Sequence, residues 1–263
     1  MIYLNTIILS IVQALTEFLP VSSSGHLIIV HRILDSGILN TASFDVFLHA
    51  GSLLAVIIYF WPEIIKISKN LVVDLKTKNF KHNFLLFIVV AILPAVLVGY
   101  FLEDFIEELR SPLIVASALI FGSIIFILAE RFFKINKDLK NLNFKDSIII
   151  GLMQCLAFIP GMSRSGITIV GGMQRGLSRI EAAKFSFLMA IPLLFGAGLK
   201  KIIDISFLDI NHFKIYILGF LISFVFSILA IKILMKLLQN RYGLYSFAVY
   251  RLIIAIIILI FLS

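Results

Sequence analysis

A glutamate, three serines and a histidine stand close together near the start of the chain, in the stretch Gln13-Ala-Leu-Thr-Glu17-Phe-Leu-Pro20-Val-Ser22-Ser23-Ser24-Gly25-His26. They interrupt an otherwise strongly apolar sequence, and polar groups in such a setting are costly and functional by default. Gln13 and Glu17, four residues apart, share one helix face and point into the same space. A carboxylate there can hold a divalent cation, act as a base, or orient His26. The competing account is a helix-packing hydrogen bond to a serine or the backbone. Ser22, Ser23, Ser24 and Gly25 offer hydroxyls and backbone N–H groups for an anion at the start of the next helix, or form an N-cap run. His26 is the side chain of this loop that takes up or releases a proton near neutrality.

A second stretch near the middle repeats the plan: Gly151-Leu-Met-Gln154-Cys-Leu-Ala-Phe-Ile-Pro160-Gly161-Met-Ser163-Arg164-Ser165-Gly166-Ile-Thr168. Arg164 carries a permanent charge in a planar fork suited to bidentate phosphate contacts. At membrane depth it requires an anionic partner, either a phosphate or Glu17. Both alternatives bring the two stretches together. Asp45 and His49 border the same region in sequence and are ambiguous.

The elements that must position these groups are membrane helices. The chain has 263 residues, of which 60% are hydrophobic and only 14% charged, with a mean hydropathy of +1.07. That charge content is well below the roughly 25% of a soluble domain. The net charge of +8 lies mostly in two loops, the pattern of positive-inside bias, and nucleic acid is not expected as a partner. The single cysteine, Cys155, excludes an intramolecular disulfide. No Lys or Arg precedes Arg32, so the start lacks the basic region of a cleavable signal peptide, and the first apolar segment is expected to stay in the protein.

Residues 2–34, broken by Pro20, are expected to form a re-entrant helix hairpin, because irregular backbone at membrane depth is tolerated only under the cover of protein or a wet cavity. Spans are expected at 44–61, 84–102 and 112–129. A second re-entrant hairpin follows at about 147–174, then spans at 182–199, 213–235 and 246–262. The connector after Trp61 is basic (Lys66, Lys69, Lys76, Lys78, Lys81), the next acidic (Glu103, Asp104, Glu107, Glu108 against Arg110), and the third, Arg131 to Lys145, basic again. Basic connectors inside and the acidic one outside give one orientation. Lys232, Lys236 and Arg241 agree with it; Lys200 and Lys201 run against it. Arg175, Arg179 and Lys184 are read as inner flanking charge, and Arg251, beside Tyr250, as snorkelling to the inner interface.

Laid over each other, the two polar stretches align Gln13 with Gln154, Pro20 with Pro160, Ser22 with Ser163, and Ser24-Gly25 with Ser165-Gly166, at a near-constant shift. Each half then holds one hairpin and three spans, and an odd number of crossings inverts the second half. The fold class expected is an all-α polytopic membrane protein with an inverted-topology repeat, residues 1–140 and 141–263, its site near mid-membrane where the halves meet.

Gln13-x-x-x-Glu17, Pro20-Val-Ser-Ser-Ser-Gly-His26 and Pro160-Gly-Met-Ser163-Arg164-Ser165-Gly-Ile-Thr168, with Phe44-Asp45 and His49-x-Gly51, resemble the signature regions of the undecaprenyl-diphosphate phosphatases, or bacitracin-resistance proteins. The resemblance covers nearly the whole chain. It implies hydrolysis of undecaprenyl diphosphate to the monophosphate carrier of cell-wall synthesis, a multi-pass location in the bacterial cytoplasmic membrane, and a divalent cation, Mg2+ or Ca2+, as cofactor. The family's first acidic position is Gln13 here, so the carboxylate's burden falls on Glu17, which is expected to place the cation. Arg164, Ser163, Ser165 and Thr168 are expected to hold the diphosphate, with Gln13, Ser22, Ser24, Gly25 and Gly166 lining its site. The nucleophile is Ser23 or a water, with His26 as acid or base. Undecaprenyl diphosphate and membrane lipid are the expected partners; a homodimer is left open. The rival reading is a lipid flippase or transporter, since an inverted repeat is also a transporter's plan.

Overall fold

A computed structural model of the chain describes residues 1–34, 39, 42–78, 80, 83–109, 111–135, 137–204, 212–240 and 242–261. Lys81, Arg110 and Arg241 lie outside the described residues, as do the side chains of Glu103, Asp104, Glu107, Lys200 and Lys201. The described residues form helices and no strand.

Both polar stretches break a helix at a proline. Helix α1 (Ile2–Phe18) stops because Leu19 precedes Pro20 and takes extended backbone, φ −64° and ψ 139°, as the proline ring demands of its predecessor. Helix α2 (Ser23–Ile33) then starts from Ser22. Helix α3 (Ala42–Tyr59) is followed by α4 (Trp61–Thr77), then α5 (Phe84–Phe101), the short α6 (Glu103–Glu108) and α7 (Pro112–Phe132).

The second half opens with α8 (Phe144–Cys155), one 3-10 turn (Leu156–Phe158), and Ile159 extended ahead of Pro160 at φ −71° and ψ 114°. Helix α9 (Arg164–Gln174) starts from Ser163. Helices α10 (Arg179–Asp204), α11 (Phe213–Leu237) and α12 (Gly243–Phe261) complete the chain.

Five helices are long and apolar enough to cross a bilayer: α5, α7, α10, α11 and α12; the bent pair α3–α4 makes a sixth if counted as one span. Helix α1, at 17 residues, reaches only about 25 Å, short of the roughly 30 Å hydrocarbon core. Large apolar side chains such as Leu97, Phe121, Val225 and Ile256 remain exposed on the long helices, the surface a polytopic protein offers to lipid tails. The basic connector after Trp61 is helical: α4 bends 72° from α3 and buries none of its residues. Its charges mark it as a connector, yet Trp61, Ile64, Ile65, Leu71, Val72 and Leu75 recur at helical spacing on one side, and that periodicity decides its structure.

Helix α1 packs on α11, and α8 packs on α5. Helices α3 and α11 meet closely at Gly51, where a Cβ would lie 2.4 Å from the Phe220 carbonyl. Beside it the Ser52 hydroxyl is 3.0 Å from those of Ser223 and Ser227, so the buried polar groups of this apolar seam satisfy one another. The largest apolar cluster, including Phe18, Phe60, Phe87, Phe126 and Phe187, sits between the hairpins and the spans.

At the other end of the bundle Asp146 is fully buried between Lys137 and Arg175, and Glu130 pairs with Arg179. Lys184 lies 4.0 Å from Glu63. Arg175, Arg179 and Lys184 are thus more than flanking charge, because each meets a carboxylate from another segment.

Candidate active site

Ser22 and Ser163 adopt nearly the same unusual backbone, φ 72° and ψ 102° for one, φ 72° and ψ 110° for the other. Left-handed φ is costly for a residue with a Cβ and persists only where its surroundings impose it. Each serine repays part of that cost as an N-cap, accepting from the backbone N–H three residues on: Gly25 at 3.4 Å and Gly166 at 3.3 Å. Each hydroxyl also meets the serine two residues on, Ser24 at 3.0 Å and Ser165 at 3.2 Å.

The loops are joined directly. The Gly161 N–H donates to Ser24 Oγ at 3.0 Å, and Ser165 Oγ lies 3.5 Å from the Leu19 carbonyl. Gly161 has φ +101°, and a Cβ there would stand 2.4 Å from the Val115 carbonyl, so the turn requires glycine.

Arg251 completes the junction. Its side chain does not snorkel: it is fully buried and donates to carbonyls of both loops and of α7. Nη1 reaches Met162 at 2.9 Å and Pro20 at 3.4 Å; Nη2 reaches Gly161 at 3.0 Å and Ala118 at 3.2 Å; Nε reaches Leu119 at 3.4 Å. The guanidinium lies 4.9 Å from the Phe126 ring centroid. Carbonyls left unpaired at two helix breaks are expensive in a membrane, and a five-donor fork satisfies several at once. This residue was misread from sequence because a cation near a span's end ordinarily reaches outward; no local pattern signals inward-facing carbonyls.

On the open side of the junction, Glu17 is the hub. Arg164 Nη2 donates to Glu17 Oε1 at 3.0 Å, while Gln13 Nε2 and Ser23 Oγ each donate to Oε2 at 3.2 Å. The Glu17 and Arg164 side chains are only 13% and 18% exposed. These groups border a cavity of about 640 Å3, which Asp45, His49, His31 and Ile106 of α6 also line. Three buried polar atoms of its lining residues have no partner among the described residues: Gln13 Oε1, His49 Nδ1 and Arg164 Nη1. Orphaned buried groups are rare in folded proteins. Gln13, His49 and Arg164 each line the cavity as residues, although these particular atoms are themselves buried.

Several expected site residues lie elsewhere. Ser22, Ser23, Ser24 and Ser163 border the cavity, whereas Ser165, Gly166 and Thr168 are packed behind it. Thr168 Oγ1 lies 2.8 Å from the Arg164 carbonyl and 2.6 Å from the Ser186 hydroxyl, and a Cβ on Gly166 would meet Phe126 at 2.3 Å. Gly25 packs against Leu119 and Val115.

His26 faces a separate, mostly apolar cavity with Tyr250 and Phe247. Its Nδ1 is 2.8 Å from the Ser22 carbonyl and its Nε2 2.8 Å from the Tyr250 hydroxyl. A carbonyl only accepts, so Nδ1 bears a proton, and in the neutral ring Nε2 accepts from Tyr250.

The donor set does not build a resident cation cage. Both Glu17 oxygens are engaged, one by a guanidinium, and among the described residues no three His, Cys, Asp or Glu side chains gather as ligands. A Mg2+ or Ca2+ site needs several oxygen ligands around one point.

The fold and pocket together define a polytopic membrane protein with an arginine-bearing polar pocket between two interrupted helices. The chain matches the family described as "Bacitracin resistance protein BacA" over residues 6–257. It is 39% identical over 266 residues to an undecaprenyl-diphosphatase of Clostridium tetani, covering 99% of this chain and 96% of the relative. It is 41% identical over 257 residues to that of Elusimicrobium minutum, covering 97% and 96%, and 40% identical over 269 residues to that of Alcanivorax borkumensis, covering 99% of each. The chain belongs to the BacA bacitracin-resistance family.

Proposed function

We propose that this protein is an integral membrane phosphatase that hydrolyses undecaprenyl diphosphate to undecaprenyl phosphate and inorganic phosphate. It thereby recycles the lipid carrier of cell-wall synthesis and confers bacitracin resistance. The observation that carries this reading is the Glu17–Arg164 pair, with Ser23 on the same carboxylate, at the floor of a polar cavity inside a membrane bundle.

The Arg164 guanidinium, which lines the cavity, is assigned to a non-bridging oxygen of the terminal phosphate, where it stabilises the charge that develops in transfer. Ser23 Oγ attacks that phosphorus and passes its proton to Glu17, the oxygen–phosphorus bond to undecaprenyl phosphate breaks, and a water then cleaves the phosphoserine. His49 lines the same cavity and is assigned to exchange the remaining proton. His26, turned toward Tyr250, is assigned to fixing the Ser22 carbonyl. A divalent cation, Mg2+ or Ca2+, is assigned to the diphosphate as its counter-ion, and no step above depends on it.

The two halves, 1–140 and 141–263, are proposed as an inverted repeat. The matched Ser22 and Ser163 caps support this, as does the exchanged packing of α1 on α11 and α8 on α5. The basic connectors then face the cytoplasm, in the bacterial cytoplasmic membrane. Ile106 of the acidic connector lines the cavity, and on that orientation the cavity is assigned to the outer face.

Purified protein in detergent tests the reading by release of inorganic phosphate from undecaprenyl diphosphate, reduced by about 10²-fold or more in Glu17→Gln and in Arg164→Ala. Binding without release would point instead to a carrier that moves the lipid uncleaved.

A further inference from the structure

A second cavity, of about 540 Å3, lies at the basic end of the bundle between α4, α5 and α10. Lys66, Lys140 and Lys184 line it against a single carboxylate, Glu63. That carboxylate neutralises little: Lys184 is 4.0 Å from it with both side chains more than a third exposed. Among the described residues Lys140 pairs only with the well-exposed Asp138, at 3.6 Å, and such surface pairs contribute little. Lys66 has no ion pair among the described residues. Below the ammonium groups the lining turns apolar, with Phe87 and Leu188 almost fully buried and Ile67 and Phe84 beside them. The cavity therefore joins a net positive mouth to a hydrocarbon wall, the complement of an anionic amphiphile.

The bounding helix places that mouth at headgroup depth. Helix α4 leaves α3 at 72° instead of continuing through the bilayer. Glu63, Lys66 and Asn70 point into the cavity from one side, while Trp61, Val72 and Leu75 on another are each more than half exposed. A helix with a charged face, a bare apolar face and an exposed Trp is built to lie in the interface plane.

We propose that this cavity binds one anionic phospholipid, its phosphate held by Lys66, Lys140 and Lys184 and an acyl chain laid against Ile67 and Phe84. The site is independent of the Glu17–Arg164 pocket and of the phosphatase reading. A free phosphate would leave the apolar wall bare, so the lipid is the favoured occupant.

Native mass spectrometry of the full chain in neutral detergent, with equal amounts of phosphatidylglycerol and phosphatidylcholine, tests it. One phosphatidylglycerol should be retained in preference by roughly tenfold, the order expected from one or two lysine contacts to an anionic head. The preference should vanish in Lys66→Gln/Lys184→Gln and persist in Lys145→Gln/Lys232→Gln, which neutralises two exposed lysines elsewhere. Three wild-type results overturn the proposal without relying on any variant's folding: equal retention of the two lipids, displacement of the bound lipid by inorganic phosphate, or stronger retention of a polyprenyl monophosphate. Equal loss in both double variants also overturns it.

Discussion

Gly122 makes room for Arg251: a Cβ at position 122 would stand 2.1 Å from Arg251 Nη2. A buried guanidinium serving carbonyls of both hairpin loops thus depends on a missing methyl group in α7. Gly122→Ala should displace the guanidinium and lower both thermal stability and phosphate release. Arg251→Met should cost more, on the order of 3–5 kcal/mol, because it leaves several buried carbonyls unpaired at once. Thermal unfolding in detergent checks both; unchanged melting of Arg251→Met would contradict the clamp.

Glu17 and Arg164 should behave as one unit. Glu17→Gln and Arg164→Ala should each reduce phosphate release by about 10²-fold or more. The double variant should be far less impaired than the product of the two, since each single change already strands the other's buried partner. Multiplying losses in a double-mutant cycle would show that the 3.0 Å contact is incidental.

The adjacent serines should separate chemistry from architecture. Ser23→Ala should abolish turnover and any phosphoserine trapped by rapid acid quench, whereas Ser24→Ala, which loses the bond from the Gly161 N–H, should cost about 1 kcal/mol of stability and spare much of the rate. Phosphate release by Ser23→Ala at the wild-type rate would assign the attack to water.

Thr168 and His26 give the complementary test. Thr168→Val should lower stability through its lost contact with Ser186 while leaving KM near normal. Tyr250→Phe removes the donor to His26 Nε2 and should reduce kcat several-fold with little change in the pH profile. A shifted pH profile would place His26 among the proton-transfer groups.

Asp146 sets an acid limit on stability. It lies in the first turn of α8, at the connector and outside the spans. Burial alone would push its carboxyl upward, but hydrogen bonds from Lys137 and Arg175 outweigh it and hold the group below the usual carboxylate range. A depressed folded-state value contributes stability above the ordinary carboxylate pKa of about 3.9, and that contribution is lost as pH falls through the folded value. Asp146→Asn should therefore be less stable near neutrality and show a flatter decline toward acid, measured by unfolding across pH.

What could be read from the sequence was whatever depends on a local pattern. The paired Pro and Ser-x-Ser-Gly signatures located both helix breaks, and the four-residue spacing of Gln13 and Glu17 placed both side chains on one wall of the cavity. Arg164 needed an anion, and Glu17 supplies it. What was hidden depends on which way a side chain turns. Nothing local sends His26 toward Tyr250, buries Thr168 behind the loop, or carries Arg251 across the bundle to Pro20 and Gly161. Asp45 and His49, ambiguous in sequence, reach the cavity because α3 runs past α1. Helix α4 was obscured by its lysines, which marked a connector while the apolar residues between them kept helical phase.

The Arg251 clamp bears on how turnover will depend on acidity. A guanidinium keeps its charge over the whole range in which enzymes are assayed, and the carbonyls it holds do not titrate. The clamp itself is therefore silent to protons, and any pH dependence of the rate between mild acid and mild base comes from groups other than Arg251 and the carbonyls it holds.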